Sequence, residues 1–465
     1  MKKDESIIYP YIPNSVPQIK EEMLKNIGVD SIEELYDSIP EDLRFNGKMN
    51  IPKPLLSEIE LARHVKEILS KNKTCSENIN FLGGGCWQHY IPSICDEIGR
   101  RGEFLTAYSG DTYEEHGKYQ ALFEYASMMA ELLDMDIVNV PTYDWGQAAS
   151  TAIRMASRIT GKSEILISRT ISPDRLKIIR NYCKPDLKII LVDYDNKTGQ
   201  MNLDDLKAKI TSETAAIYLE NPSYLGFIEE QGEKISKIIH ESSGLCLVGV
   251  DPISLGVIKP PSHYGADIVC GDIQPLGIHM NYGGGHGGFI STFEEEKYMQ
   301  EYPNRLYGIA PTSVEGEFGF GDVAFERTSL ASREKAKEYV GTAAGLWGII
   351  AGVYLAVMGP RGMEELGKLI IQNSMYAAKQ ISKINNVFAP VFSSTHFKEF
   401  IVDFNHTNKK VKEINKELLN YGIFGGKDLS DEFPELGQCA LYCVTEVHTK
   451  NHIDKLVNAL TNILK

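Results

Sequence analysis

Short apolar runs alternate with amphipathic stretches through the middle of the chain. The runs have the length of buried strands, and the stretches between them have apolar residues at helical spacing. Such alternation is typical of a parallel sheet with crossover helices, so the sequence predicts an α/β fold. The predicted strands are 164–167, 188–192, 215–219, 246–250 and 266–270, and the predicted crossover helices are 173–183, 203–210 and 229–242.

Helical periodicity also extends to both sides of this region. Two helices are predicted before it, at 120–133 and 148–160. A long helix at 332–357 follows it and stops at Met358-Gly359-Pro360, since glycine followed by proline ends a helix. The rest of the chain predicts a compact α/β cap with helices near 362–384, 408–421 and 451–464 and strands near 400–404 and 440–444.

Prolines interrupt any long element in the first part of the chain, which predicts an extended arm with short helices. Such an arm more often wraps a partner subunit than forms a domain. The predicted organisation is an N-terminal arm (1–60), a large domain (61–330), and a linking helix with a small C-terminal domain (331–465).

The net charge restricts the classes of partner. The chain has 465 residues, of which 48 are basic and 63 acidic, and its formal charge of −15 repels nucleic acid and anionic membrane surfaces. No apolar run reaches the roughly 18 to 20 residues of a membrane span, and the charged start does not lead into a signal-peptide core. We therefore expect a cytoplasmic protein that binds neither nucleic acid nor a membrane.

The eight cysteines do not have the spacing of a metal site or a disulfide framework. They are dispersed without a Cys-x-x-Cys pair, and several lie in apolar runs, where a thiol packs as a small hydrophobe. His89, His279 and His286 show no regular ligand spacing either. The sequence predicts no metal site.

Polar residues and glycines follow several predicted strands, at the sheet edge where α/β proteins bind ligands. Asp251 ends the run from Leu245, and Asn221 follows the strand at 215–219. After 266–270 comes a loop with six glycines, among them Gly283, Gly284 and Gly285 beside His286, which allow close approach of a ligand or another chain. The alternatives are a mobile surface loop for the glycines and a plain turn for Asn221.

Two further segments combine a turn or a helix start with polar aromatic residues. Three glycines precede Trp87, His89 and Tyr90, which fits either a site or interface loop or a tight turn that packs a core tryptophan. Tyr143 and Asp144 precede the helix at 148–160. The amides at that helix start form either an anion site or a plain N-terminus capped by Asp144.

The order of elements around Asp251 is an Asp at a strand end, then another strand and then a loop. This order resembles that in the large domain of pyridoxal-phosphate enzymes with the aspartate aminotransferase fold. There the Asp pairs with the pyridine nitrogen, and a lysine further on holds the cofactor aldehyde. Here Gln274 and Pro275 stand near the place of that lysine, while Lys259 comes too early and Lys297 too late. Without a primary amine no Schiff base forms, so covalent anchoring of the cofactor on this chain is excluded.

Motifs over nearly the whole chain carry a closer resemblance. They are Tyr11-Ile12-Pro13-Asn14, Phe81-Leu82-Gly83-Gly84-Gly85, His89-Tyr90-Ile91-Pro92, Phe104-Leu105-Thr106-Ala107-Tyr108, Gln120-Ala121-Leu122-Phe123-Glu124, Asn221-Pro222-Ser223-Tyr224-Leu225-Gly226, Asp251-Pro252-Ile253-Ser254-Leu255-Gly256, Gln274-Pro275-Leu276-Gly277, Arg333-Glu334-Lys335-Ala336 and Tyr354-Leu355-Ala356-Val357-Met358-Gly359-Pro360. Together they resemble subunit 1, the N-terminal-type subunit, of the glycine cleavage system P-protein, a decarboxylating glycine dehydrogenase.

The resemblance implies a chain that is inactive alone and shapes a shared cleft. In the family, this subunit lacks the lysine and pairs with a homologous subunit 2 that carries pyridoxal 5'-phosphate. The complex decarboxylates glycine and passes the aminomethyl group to the lipoyl H-protein. The resulting cleft or interface candidates are His89, Tyr90, Tyr108, Tyr143, Asn221, Asp251, Gln274, Gly283, Gly284, Gly285 and His286.

The chain departs from the family pattern in two loops. Before His89-Tyr90 the family has a smaller residue pair and an Asp, so Trp87 and Gln88 are departures, and residues 109–116 replace a loop with two prolines and add acidic side chains. If Asp111, Glu114 and Glu115 face the cleft, they repel a substrate carboxylate. Two alternatives to the glycine enzyme therefore remain, namely a paralogous enzyme for another amino acid or amine and a purely structural subunit.

Overall fold

The structure is a computed structural model that describes residues 8–9, 11–45, 47, 49–105, 118–338 and 343–465. The chain forms two compact units, Met1–Asn72 and Lys73–Lys465. The N-terminal unit contains helices α1 (Pro17–Ile27) and α2 (Glu58–Leu69) and short 3-10 turns. None of its described residues is buried, and large side chains such as Tyr11, Leu43 and Leu56 are exposed. This unit therefore has no core of its own.

The C-terminal unit is built on a seven-stranded sheet. Its strand order is β2-β8-β7-β6-β5-β3-β4; the strands from β7 to β4 are parallel, and β8 and β2 are antiparallel to their neighbours. Strands covered on both faces need continuous apolar sequence, which explains the unbroken runs. The predicted parallel-rich α/β sheet is confirmed. Its strands are β2 (Ile137–Val138), β3 (Glu164–Ser168), β4 (Lys188–Val192), β5 (Thr214–Glu220), β6 (Leu245–Val250), β7 (Ile268–Asp272) and β8 (Gly288–Thr292).

Helices cover both faces of this sheet. Successive strand residues alternate between the two faces, so Leu166 and Val248 contribute to one core cluster, while Ile167 and Leu247 contribute to the other. The first cluster lies under α3 (Ser93–Gly99), α4 (Lys118–Leu133), α7 (Leu203–Lys209), α8 (Gly232–Glu241) and α10 (Gly345–Ile381), and the second under α5 (Trp145–Thr160), α6 (Pro173–Cys183) and α9 (Glu296–Met299).

A smaller sheet forms near the C-terminus. Strand β14 (Cys439–Cys443) lies between β11 (Glu399–Asp403) and β13 (Lys427–Asp428) and is antiparallel to both. Helices α11 (Val411–Leu418) and α12 (Lys450–Ile463) and the end of α10 share its core cluster. A two-residue parallel pair, β1 (Ile79–Asn80) with β12 (Ile423–Phe424), joins the start of this unit to its end. The boundary of separate large and small domains at residue 330 stays a prediction.

Two segments differ from the sequence-based expectation. The helix predicted to start at 332 begins at Gly345, because Ser329–Lys335 forms a 3-10 turn. The segment 305–325, whose many glycines and aromatic residues without clear periodicity predict a surface loop, contains the hairpin β9 (Tyr307–Pro311) and β10 (Phe318–Asp322). Its glycine-rich strands lack the apolar alternation that indicates a strand.

The helix break predicted at Gly359-Pro360 is present as a kink within α10, and the helical segment after it corresponds to the helix predicted near 362–384. Gly359 has φ +59°, and α10 resumes at Pro360 and continues to Ile381. Proline suits the first turn of the second half because an N–H there has no helical partner. By length and composition α10 meets the criterion for a membrane span, but its buried residues form part of the two sheet cores, as expected of a core helix.

Candidate functional site

Lys398 and Asp251 form a buried ion pair at the carboxyl end of β6. Asp251 directly follows β6 and accepts the Ile253 N–H at 3.2 Å through Oδ1. Lys398, the residue before β11, places Nζ 2.7 Å from Asp251 Oδ2, and the two side chains are 3% and 5% exposed. Either charge alone would be costly to bury, so the pair ties the large sheet to the small one.

The Lys398 ammonium has two further neighbours. It lies 3.4 Å from the centroid of the Trp87 ring, in a cation–π contact. It also lies 3.2 Å from His89 Nε2, while His89 Nδ1 lies 2.9 Å from Glu446 Oε2. His89 thus bridges the ammonium and a second carboxylate.

Glu446 ends this network. Its Oε1 accepts the Tyr90 N–H at 2.6 Å. Burial alone would raise its pKa, but the positive charge at His89, the hydrogen bond with His89 and the backbone N–H of Tyr90 lower the pKa of Glu446 to about 2. Glu446 is therefore ionised throughout the physiological range.

Gln274, near the place where the resembling enzymes carry lysine, holds the segment with Trp87. Its Oε1 accepts the Trp87 N–H at 3.0 Å, and its Nε2 donates to the carbonyls of Trp87 and Ile278 at 2.9 and 3.2 Å. The side chain is buried with its hydrogen-bonding groups paired. Gln274 therefore fixes Trp87 over Lys398.

Glycines let the backbone meet Glu399. Gly84 N–H donates to Glu399 Oε1 at 2.6 Å, and a Cβ at Gly83 would lie 2.0 Å from the same oxygen. Burial raises the pKa of Glu399, against the opposing effects of Lys398 and the Gly84 N–H. The glycines before Trp87 thus allow close packing against the small sheet.

A second tryptophan completes the aromatic part of the site. Trp145 Nε1 donates to Tyr218 Oη at 3.0 Å, and the guanidinium of Arg175 lies 4.1 Å from a Trp145 ring centroid. Arg175 binds Glu220 through Nε and Nη2, at 2.6 and 2.7 Å. This bidentate pair fixes the guanidinium on the ring.

Carboxylates occupy the N-terminus of α5. Asp144 Oδ1 accepts the Gln147 N–H at 2.7 Å, and Asp272 Oδ2 accepts the Trp145 N–H at 3.2 Å. A phosphate here would lie against two negative groups. Of the two interpretations of this helix start, the structure has the capped N-terminus.

His286 lies beside the same Asp272. Its Nδ1 is 3.0 Å from Asp272 Oδ2, and the carboxylate also accepts the N–H groups of Gln274 and Gly287 through Oδ1. In the glycine-rich loop before it, a Cβ at Gly285 would lie 2.0 Å from the His279 carbonyl oxygen, while Gly283 has open space around it. The loop is therefore tightly folded at its base and exposed to solvent at Gly283 and Gly284.

The structure brings only part of the predicted set together. His89 and Asp251 meet through Lys398, and Gln274 and His286 meet around Asp272. The Asn221 amide pairs with the backbone of Glu229 and with Tyr264 Oη.

The tyrosines of the predicted set are not part of this cluster. The side chains of Tyr90 and Tyr143 are exposed. Tyr108 and the acidic loop 109–116 lie outside the described residues.

The residues present do not fit pyridoxal phosphate. The cavity between Trp87, Trp145, Arg175 and Lys398 is about 20 Å³, which holds about one water molecule. Asp251, the carboxylate that would meet a pyridine nitrogen, already binds the Lys398 ammonium. The N-terminus of α5, which would meet a phosphate, already binds the carboxylates of Asp144 and Asp272. Among the residues that the structure describes, no group of three His, Cys, Asp or Glu side chains could hold a metal ion.

The sequence patterns did not identify several residues that are central to the site, namely Lys398, Glu399, Asp272 and Arg175. Lys398 and Glu399 are adjacent charges between two phenylalanines before a predicted strand, and this pattern was the available signal. Asp272 ends a strand as Asp251 does, and the same rule about strand ends would have found it. No local signal indicates that Arg175 stacks on Trp145, because the contact joins two helices.

Comparison with known proteins places the chain in a family. The family model of the glycine cleavage system P-protein matches residues 10–460. The probable glycine dehydrogenase (decarboxylating) subunit 1 of Staphylothermus marinus is 40% identical over 465 residues, with 98% of each chain covered. A protein with the same description from Pyrococcus furiosus is 38% identical over 458 residues, covering 98% of this chain and 99% of the relative.

Comparison with solved structures leads to the same family. The crystal structure of glycine decarboxylase (P-protein) of the glycine cleavage system, in inhibitor-bound form, matches with a TM-score of 0.85 and 29% identity, covering 98% of this chain and 100% of that one. Glutamate decarboxylase from Lactobacillus brevis, at 12% identity and a TM-score of 0.68, shares the fold. The fold is that of type I pyridoxal-phosphate enzymes, as predicted. The chain belongs to the glycine cleavage system P-protein family.

Proposed function

We propose that this chain is subunit 1 of a two-subunit glycine decarboxylase. In this proposal a homologous, lysine-bearing subunit 2 holds pyridoxal 5'-phosphate, which supplies the electron sink for loss of carbon dioxide from glycine. The aminomethyl group then passes to the lipoyl H-protein. The family match and the subunit 1 relatives support the reaction and the partner.

The observation that supports a cofactor site on the other subunit is the ion pair of Asp251. Its carboxylate already binds the Lys398 ammonium at 2.7 Å, and Trp87 covers that ammonium. The position of the lysine that would hold a cofactor aldehyde is taken by residues without a primary amine, Gln274 and Pro275. A complex that needs one cofactor site must then obtain it from the other subunit.

The role of this chain is to present a fixed surface to that subunit. Gly283 and Gly284 have no side chain, Tyr282 directly before them is fully exposed, and Tyr143 before α5 is largely exposed. Glycine backbone allows close approach of another chain, and tyrosine contributes large contact area with a polar tip. His286 and the Asp272 carboxylate hold the base of this loop in place.

The test is reconstitution. The purified chain is assayed alone and with subunit 2 and H-protein, for glycine–bicarbonate exchange and for bound pyridoxal phosphate. We expect exchange only in the complex, and one cofactor for each pair of subunits, released from subunit 2 on separation. A borohydride-reducible adduct on a lysine of this chain would overturn the placement of the cofactor.

The substrate is tested with the same complex. Exchange with glycine supports the proposal, and it should persist when Asp111, Glu114 and Glu115 are replaced by the amides if these side chains face solvent. Turnover of another amino acid or a basic amine, with no exchange for glycine, would assign the chain to a paralogous enzyme.

A further inference from the structure

Cys86, His286 and Asp272 form a connected group at the base of the glycine-rich loop. Asp272 is 2% exposed, and its Oδ2 lies 3.0 Å from His286 Nδ1. Cys86 Sγ lies 3.9 Å from the Met280 carbonyl oxygen, which also accepts the Gly285 N–H at 3.2 Å. The thiol is thereby held against the turn that leads into His286, and it interacts with the imidazole ring.

The buried carboxylate favours the charged form of the imidazole. Burial alone would lower the pKa of His286, but the hydrogen bonds with Asp272 and Cys86, and the negative charge of both groups, raise it to about 10. At neutral pH the ring therefore carries a proton on both nitrogens. One proton is donated to Asp272 and the other is available to the sulfur or to a leaving group.

Cys86 differs from the other cysteines in its surroundings. All eight cysteines are free; six are buried, and only Cys75 and Cys86 are partly exposed. Burial and, after it, the charge of Cys86 raise the pKa of Cys75. Cys75 is therefore an internal reference of comparable exposure that should react slowly, since the thiolate is the reactive form.

We propose that Cys86 is a modification site for low-molecular-weight disulfides, with His286 as the proton donor and Asp272 as the positioning residue. Cys86 first loses its thiol proton to solvent, and the resulting thiolate attacks one sulfur of the disulfide, so that a new S–S bond forms while the old one breaks. The leaving thiolate takes a proton from His286, whose remaining proton stays on the hydrogen bond to Asp272. One disulfide is consumed and one mixed disulfide is formed, so no other oxidant is required.

In this Cys–His–Asp group, Cys86 is the nucleophile, His286 donates a proton and Asp272 orients the imidazole ring. A thiol beside an imidazolium, partly open to solvent, is the environment in which cysteines become nucleophilic. The carboxylate is anchored independently by the N–H groups of Trp145, Gln274 and Gly287, so it holds the ring in a fixed orientation. This chemistry is separate from the decarboxylation proposed above and does not depend on it.

The first test measures thiol reactivity in the full-length chain under native conditions at neutral pH. Dithiobis(nitrobenzoate) is the probe, and its released thiolate is followed by absorbance in the wild type and in Cys86→Ser, Cys75→Ser and His286→Gln. We expect one fast thiol in the wild type and in Cys75→Ser, none in Cys86→Ser, and a rate at least roughly tenfold lower in His286→Gln. Equal rates for Cys75 and Cys86, or an unchanged rate in His286→Gln, would overturn the proposal.

The second test needs no variant. The wild-type chain is incubated with oxidised glutathione, and the peptides containing Cys86 and Cys75 are compared by mass. We expect the glutathione adduct on Cys86 before Cys75, with removal by dithiothreitol. An adduct that forms first on Cys75, or on neither peptide, would refute the assignment of Cys86.

Discussion

Lys398 and Asp251 face each other across the junction of the two sheets, with Nζ 2.7 Å from Oδ2. Asp251 follows a strand of the seven-stranded sheet, and Lys398 precedes a strand of the three-stranded sheet. The ion pair therefore joins the two sheets of the same chain at the place where they meet. Its energetic role can be measured separately from catalysis.

Lys398→Met should be strongly destabilising. The substitution keeps most of the side-chain length but leaves the Asp251 charge buried without its ammonium, and breaking a buried pair in this way costs about 3–5 kcal/mol. Urea unfolding followed by circular dichroism measures the change. Lys188→Met is the control, because the Lys188–Glu164 pair at 2.7 Å has a lysine 68% exposed, and its loss should cost less than about 1 kcal/mol.

The double variant Asp251→Asn/Lys398→Met separates charge from packing. With both charges absent, the penalty of an unpaired carboxylate disappears, so the double variant should be more stable than Lys398→Met alone. If Lys398→Met costs no more than Lys188→Met, the ion pair does not hold the junction.

Glu446 should make folding stability depend on pH in the acid range. Its pKa in the folded chain is about 2, below the usual value of a glutamate, so its contribution is fully present above about pH 4.5 and is lost as the pH falls toward 2. Glu446→Gln should therefore lower the free energy of unfolding at pH 7 by up to roughly 3 kcal/mol. The difference between wild type and variant should shrink as the pH is lowered.

The control is Glu364→Gln on the surface of α10. Glu364 is exposed and pairs with Lys368 in the same helix, so its replacement should leave the acid part of the stability curve nearly unchanged. A Glu446→Gln difference that stays constant from pH 7 to pH 3 would contradict the assigned pKa.

Removal of residues 1–72 should spare the fold and weaken assembly. The core clusters of both sheets lie in the unit from Lys73 to Lys465, and no described residue of the first unit is buried. The exposed apolar side chains of this arm are suited to covering another chain. We expect a cooperative thermal transition for the truncated chain and loss of its complex with subunit 2 in light scattering.

A shorter truncation provides the control for assembly. Removal of residues 1–9 alone leaves α1 and α2 intact and should retain the complex. Failure of the longer truncation to fold, or a complex of undiminished stability without residues 1–72, would contradict the role given to the arm.

The sheet and most helices could be predicted because their signals are local. The strand at 246–250 and the helix at 173–183, for example, were recognised from consecutive residues, and both lie where the sequence placed them. Asp251 was found by the same route, since a strand end marks the ligand edge of an α/β sheet.

The partner of Asp251 could not be predicted in this way. Lys398 reaches the site from a different sheet, and the contact depends on the relative position of elements that are distant in sequence. Local pattern indicated where polar residues stand but not which of them meet.

Gln274 has a consequence for what a single substitution at its position can achieve. Two of its side-chain hydrogen bonds hold Trp87, Trp87 covers Lys398, and Lys398 neutralises Asp251. A lysine at 274 would bury a second ammonium, release Trp87 and still find the Asp251 carboxylate engaged. The exchange of this one residue is therefore not expected to convert the chain into one that carries its own cofactor.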